Sequence, residues 1–213
     1  MLLLPACSAK EYPNVNPNIL FILADDLGYG DISFLNPGSK IQTPNIDRIA
    51  KSGVAFTDAH SGSAVSTPTR YGILTGRYSW RSELKSGVLD GYSRALIPPG
   101  RKTLPHILRE KGYTTACIGK WHLGWDWNDF EKGNDSIDFS KPVSNGPISR
   151  GFGYFFGFSG SLDMPPYVYV ENDQPTSLPD RITIGNNITY ANPGYDGSFW
   201  REEIGRASCR ERV

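Results

Sequence analysis

The sequence has few cysteines and no imbalance of charge. Its 213 residues include three cysteines, Cys7, Cys117 and Cys209, which make no disulfide framework. Basic and acidic side chains each number 22, so neither a nucleic-acid groove nor a polybasic membrane patch is expected. No apolar run is long enough to span a bilayer. Internal repeats and low-complexity tracts are also missing. What is there is the composition of a globular protein rich in glycine, proline and aromatics, at a length that suits one or two domains.

The two ends differ from the middle. Met1-Leu2-Leu3-Leu4-Pro5-Ala6-Cys7 looks like the tail of a secretion signal. Leu4 to Cys7 resembles a bacterial lipobox, whose cysteine is lipidated after cleavage. Residues 1–16 are therefore read as a signal remnant and lipoprotein tether, with a lipid anchor at Cys7 and a periplasmic or outer-membrane, cell-surface location in a bacterium. A frayed terminus is the plain alternative. At the other end, Glu203 to Val213 reads as the in-frame translation of a common sequencing adapter. Residues 203–213 are expected to be artefact, Cys209 to carry no meaning, and 17–202 to form the folded part.

Asn18 to Ala24 is a continuous apolar run with β-branched and aromatic members, which predicts a buried parallel strand. It ends in Asp25-Asp26. Ligands of open α/β sheets bind beyond the carboxyl ends of strands. Two adjacent carboxylates there repel unless a cation joins them, and hard oxygen donors suit Ca2+ or Mg2+. A solvated turn is the bland alternative. Thr43 to Gly53 predicts a helix, with Thr43 as cap, Pro44 in the first turn and Gly53 as stop. Val54 to Asp58 predicts the next strand, and His60 a loop.

Ser66-Thr67-Pro68-Thr69-Arg70 predicts a second helix start. Pro68 suits a first turn, and Ser66 and Thr67 suit cap positions. A helix N-terminus favours anions, and Arg70 lies about one turn on. A hydroxyl, exposed amides and a cation converge there, as attack on a sulfate or phosphate ester requires. An ordinary capped helix with a surface arginine satisfies the same short pattern. Arg77 to Pro99 reads as a loop near the site mouth.

Thr103 to Gly112 repeats the helix logic, with His106 on its surface. Tyr113 to Ile118 predicts a strand holding Cys117 as a buried, inert thiol. It opens into Gly119-Lys120-Trp121-His122-Leu123-Gly124, where an extended backbone would point Lys120 and His122 the same way. An ammonium can neutralise an oxyanion and an imidazole can move protons near neutral pH. Trp125 to Arg150 reads as a polar insertion loop facing substrate, and Pro165 to Asn172 as a strand with flanking turns.

Together these segments resemble the type I, formylglycine-dependent sulfatases. The first signature is Ser66-x-Pro68-x-Arg70 followed by Leu74-Thr75-Gly76, and the second is Gly119 to Gly124 without a mismatch. Pro17 to Asp26 and Thr43 to Ala50 match further family segments, and Gly151 to Phe158 resembles another. The resemblance implies an alkaline-phosphatase-like α/β fold, a mostly parallel sheet flanked by helices, and hydrolysis of sulfate monoesters. It implies that Asp25, Asp26 and the oxidised Ser66 hold a divalent metal, usually Ca2+, with Mg2+ the other candidate. Arg70 steadies the formylglycine hydrate, Lys120 binds sulfate, His122 hydrogen-bonds the hydrate, and Ser161 contacts sulfate, with the acidic Asp163 close behind. Serine at position 66, where many members have cysteine, implies conversion by a radical-type sulfatase-maturing enzyme, since the oxygen-dependent route needs cysteine.

The family's later Asp-Asn metal pair, second lysine, second histidine and smaller C-terminal domain lie beyond the residues given. The chain by itself is therefore expected to be inactive. The substrate class is a sulfated carbohydrate or an aryl sulfate. Two other readings stand beside it: a phosphoryl hydrolase of the same superfamily, and a surface lipoprotein that binds glycan without catalysis.

Overall fold

The computed structural model describes residues 16–25 and 27–179. Cys7 and the tether, Asp26, Cys209 and the rest of the C-terminal stretch lie outside the described residues. The chain divides into two compact units, Met1–Ala55 and Phe56–Val213.

In the first unit the expected helix forms as α1, Pro44–Ser52, with Thr43 at its N-cap and Gly53 at its C-cap. Its start is tied down by side chains. The Asp47 carboxylate accepts from the Thr43 hydroxyl (2.8 Å), the Ser33 hydroxyl (2.8 Å) and the Phe34 amide (3.0 Å). Thr43 Oγ1 in turn accepts from the Ser33 amide at 3.0 Å. These bonds tie the Ser33–Phe34 segment to the helix start, while the Thr43 side chain itself caps no helix amide.

The strand predicted over Asn18 to Ala24 does not form. Its apolar side chains stand exposed, Leu20 at 85% and Ile22 at 72%. The cause is physical. A buried parallel strand exists only where neighbours take up its backbone N–H and C=O groups, and no described strand pairs with this run. Val54 to Asp58 is corrected for the same reason: the segment is irregular, with Val54 and Phe56 exposed.

The second unit carries α2, Ser66–Thr75, α3, Leu104–Glu110, and a four-stranded sheet. The strands are β1, Ala116–Lys120, β2, Tyr154–Phe158, β3, Val170–Glu171, and β4, Gln174–Pro175, in that order across the sheet. Only β1 and β2 run parallel; β3 and β4 join as an antiparallel hairpin. Among the described residues the sheet is therefore mixed rather than mostly parallel. The reason lies in the connections: parallel strands need a long crossover, which the loop from Trp121 to Gly153 supplies once, while β2 to β4 are joined by shorter loops.

β1 and β2 pair closely where Gly119 faces Gly157. A Cβ on Gly157 would lie 1.9 Å from the Gly119 carbonyl oxygen, so only glycine fits. Past Lys120 the pairing persists as single bonds, from the Trp121 amide to Phe158 O (3.1 Å) and from the His122 amide to Ser159 O (2.8 Å).

The segment expected to be a polar loop facing substrate supplies the centre of the core. Trp125 is fully buried, Trp127 and Trp121 nearly so, and all pack with Phe155, Ile97, Leu123 and Val170. Trp125 meets Trp127 and Phe155 edge-on, at ring-centre distances of 5.3 and 6.0 Å. Buried indole N–H groups usually find partners: Trp121 donates to Gly124 O (2.8 Å) and Trp127 to Gly91 O (3.0 Å), whereas Trp125 Nε1 has none among the described residues. The polar composition of the segment concealed this role, because its tryptophans turn inward without any regular period.

Candidate active site

Three chain segments converge at the C-terminal end of the β1–β2 pair. The first is the start of α2, where Ser66 is the first helical residue and Val65 the N-cap. Ser66 and Thr67 therefore sit inside the helix rather than at its cap. The helix closes at Gly76, whose φ of 66° and amide bond to Gly72 O (2.9 Å) make a left-handed stop. The second segment is the end of β1, which delivers Lys120. The third is the loop after β2, which carries Ser159 and Ser161.

Lys120 joins all three. Its ammonium donates to Ser66 Oγ at 2.8 Å and to Ser161 Oγ at 3.1 Å. Its backbone carbonyl accepts from Arg70 Nη1 at 2.7 Å. Two cations and two hydroxyls, 41 to 54 residues apart in sequence along these contacts, are thus fixed in one place. The ammonium is aimed at two hydroxyl oxygens. That is an arrangement for receiving an anion.

His122 lies behind this cluster and is buried, at 1% exposure. Its φ of 54° is left-handed, so the backbone is not extended and Lys120 and His122 do not simply alternate as predicted. The imidazole Nε2 lies 2.6 Å from Leu89 O. A carbonyl can only accept, so Nε2 carries the proton and Nδ1 is the basic nitrogen. Nδ1 is buried without a hydrogen-bond partner among the described residues. Burial pushes the imidazole below its ordinary pKa; the Leu89 bond and Asp163 oppose that, and Lys120 and Arg70 reinforce it. The ring is thereby held neutral near pH 7.

The remaining candidates behave differently. His60 is exposed and paired with Asp58 at 2.7 Å, as a loop residue. His106 bonds the Thr103 hydroxyl (2.8 Å) at the start of α3 and takes no part in the cluster. Asp25 belongs to the first unit and follows the exposed run. The donor set of two carboxylates and an oxidised Ser66 is all hard oxygen, which suits Ca2+ or Mg2+. Among the described residues, which omit Asp26, no three His, Cys, Asp or Glu side chains gather to hold a metal ion.

Sequence reasoning missed the roles of Thr67 and Leu89. Thr67 is fully buried, and its Oγ1 accepts the Leu89 amide at 3.1 Å. The only sequence signal was a hydroxyl beside Ser66, and capping explained that adequately.

These elements define an α/β protein with a lysine-centred polar cluster at the ends of paired strands and the head of a helix. The family model described as Sulfatase matches residues 17–198, and the chain belongs to the sulfatase family. It is 43% identical over 170 residues to an N-acetylgalactosamine-6-O-sulfatase of Bacteroides thetaiotaomicron, covering 79% of this chain and 32% of that protein. It is 37% identical over 169 residues to human arylsulfatase D, covering 76% and 26%. A solved structure from work on the metabolism of multiple glycosaminoglycans by Bacteroides thetaiotaomicron superposes with a TM-score of 0.67 at 42% identity, covering 76% of this chain and 32% of that one. The fold is accordingly the alkaline-phosphatase-like α/β fold of sulfatases. The chain spans about a third or less of the length of these relatives. Sulfatases generally use formylglycine and a divalent metal.

Proposed function

We propose that this chain contributes the nucleophile position and the sulfate-binding residues of a sulfuric ester hydrolase acting on a sulfated glycan. The observation that carries this is the Lys120 ammonium bridging Ser66 Oγ and Ser161 Oγ. Lys120 and Ser161 would seat the sulfate oxygens, with Lys120 neutralising their charge. Arg70, fixed on the backbone of Lys120, stabilises negative charge that develops at position 66. Each preorganised cation of this kind is worth about 3 kcal/mol in the transition state. His122, neutral and presenting a basic Nδ1, accepts a proton from the nucleophile.

Ser66 itself is to be oxidised to formylglycine by a radical-type maturing enzyme. The hydrated aldehyde supplies one hydroxyl that attacks sulfur as the sugar oxygen leaves with the bonding electron pair and takes up a proton, and a second whose deprotonation expels sulfate and restores the aldehyde. A plain serine would be left as a sulfate ester that is difficult to hydrolyse. Asp25 and Asp26 would hold a divalent metal, Ca2+ or Mg2+, which would lower hydroxyl pKa values and take up charge. The name of the Bacteroides relative, an N-acetylgalactosamine-6-O-sulfatase, supports a sulfated carbohydrate as substrate class. The lipobox-like Leu4 to Cys7 supports export and a lipid anchor at the bacterial surface.

The test is turnover by the full-length protein, matured in its native host, on paired sulfate and phosphate monoesters of one sugar. Hydrolysis of the sulfate in strong preference to the phosphate is expected. Preference for phosphate would replace this reading with a phosphoryl hydrolase. Glycan binding without hydrolysis of either ester would replace it with a binding protein.

A further inference from the structure

Ser66 and His122 have no hydrogen bond to each other, yet a buried relay connects their segments. Thr67, next to Ser66 on α2, is fully buried, and its Oγ1 accepts the Leu89 amide at 3.1 Å. The Leu89 carbonyl accepts His122 Nε2–H at 2.6 Å. The peptide following Leu89 is held as well: the Asp90 amide donates to Ser93 Oγ at 3.0 Å, and Ser93 donates to the Asp90 carboxylate at 2.7 Å. Leu89 is thus pinned on both sides, and its carbonyl can address the imidazole from one direction only.

Neutral imidazole has two tautomers, and a neighbouring acceptor selects between them. Among the described residues Leu89 O is the one acceptor bonded to either ring nitrogen, since Nδ1 is buried without a partner. A shift of Leu89 would free the ring to place its proton on Nδ1, and the basic nitrogen would then face the wrong way. A buried threonine hydroxyl 22 residues from its backbone partner is also a costly group to keep unless its bond is made.

We propose that Thr67 is a positioning residue that, through the Leu89 backbone, locks His122 in the Nε2–H tautomer and so leaves Nδ1 as the basic nitrogen. This rests on the sulfatase reading only for its catalytic consequence; the tautomer lock stands on the hydrogen bonds alone.

The test uses the full-length protein labelled with 15N-histidine, compared as wild type, Thr67→Val and Thr67→Ser. Wild type and Thr67→Ser should show His122 with a protonated Nε2 and an unprotonated Nδ1. Thr67→Val, which keeps the shape and loses the acceptor, should show averaging between tautomers. Ser93→Ala releases the other side of Leu89 and should move the same signals in the same direction, which keeps the test open if Thr67→Val fails to fold. In the matured enzyme, with formylglycine content matched by mass spectrometry, Thr67→Val should lower kcat by about 10-fold to 100-fold with KM within about 2-fold, a part of the about 10²-fold to 10⁴-fold that general acid–base help supplies. Thr67→Ser should restore kcat to within about 3-fold.

An unchanged tautomer signal in both Thr67→Val and Ser93→Ala overturns the proposal, as does a Thr67→Ser variant no better than Thr67→Val. If the wild type hydrolyses no sulfate ester while the tautomer still responds, the sulfatase reading fails and the lock survives.

Discussion

Lys120→Met is the sharpest perturbation of the cluster, because the structure separates what it removes from what it leaves. The Arg70 guanidinium bonds the backbone carbonyl of residue 120, so a side-chain exchange takes away the ammonium and keeps Arg70 anchored. The lost contacts include those to Ser66 Oγ and Ser161 Oγ, at 2.8 and 3.1 Å. A cation about 3 Å from a bound sulfate oxygen interacts with about 5 kcal/mol at an effective dielectric of about 20. Part of that is shared by the ground state and would appear in KM. The remainder should match the loss of one oxyanion donor, about 3 to 4 kcal/mol, or about 10²-fold to 10³-fold in kcat/KM. Stability should change little, because both hydroxyls sit in half-buried positions that water can reach. The assay is kcat/KM of the full-length matured enzyme on a sulfate monoester, with formylglycine content and Tm measured on the same samples. A loss below about 10-fold, or a loss explained by a fall in Tm, would refute the reasoning.

Other outcomes follow from the same geometry. Gly157→Ala places a Cβ 1.9 Å from the Gly119 carbonyl oxygen, so the β1–β2 pair must separate, at about 3 kcal/mol or more; urea unfolding should show it, and a midpoint equal to wild type would contradict the register. His122 has a pKa lowered chiefly by burial, with Lys120 and Arg70 contributing, so the neutral ring persists below the ordinary imidazole value and the acid limb of kcat/KM should lie under about pH 6.5. The sign for stability is the same: the unfolded chain takes up that proton first, so stability is fully present above about pH 6.5 and declines as pH falls towards the folded pKa. Burial pushes the Cys117 thiol up to about 11, with Arg70 opposing weakly, so alkylation at pH 8 should be slow in the folded protein and fast in urea.

What could be read in the sequence was local. Thr43 and Pro44, Thr103 and Pro105, and Pro68 mark helix starts through bonds within one turn, and α1, α2 and α3 begin there. The Lys120-x-His122 signature and Ser161 were placed by resemblance, and the structure brings Ser66, Arg70, Lys120 and Ser161 together. The strand over Asn18 to Ala24 was misjudged because strand formation depends on partners far along the chain, which no local pattern encodes. Trp125 and Trp127 were taken for loop surface because burial there follows from tertiary packing rather than period. The left-handed His122 and the Thr67–Leu89 bond were illegible for a related reason: both are set by backbone groups from other segments.

The central claim is that position 66 carries the reacting group. Its most direct test is the mass of the tryptic peptide Ser52 to Arg70 from full-length protein purified from its native host, alongside sulfate ester turnover by the same sample. A peptide lighter by two hydrogens than the encoded serine form, in a preparation whose activity rises with the modified fraction, is the predicted result. Unmodified Ser66 in protein that hydrolyses sulfate esters at full rate would contradict it.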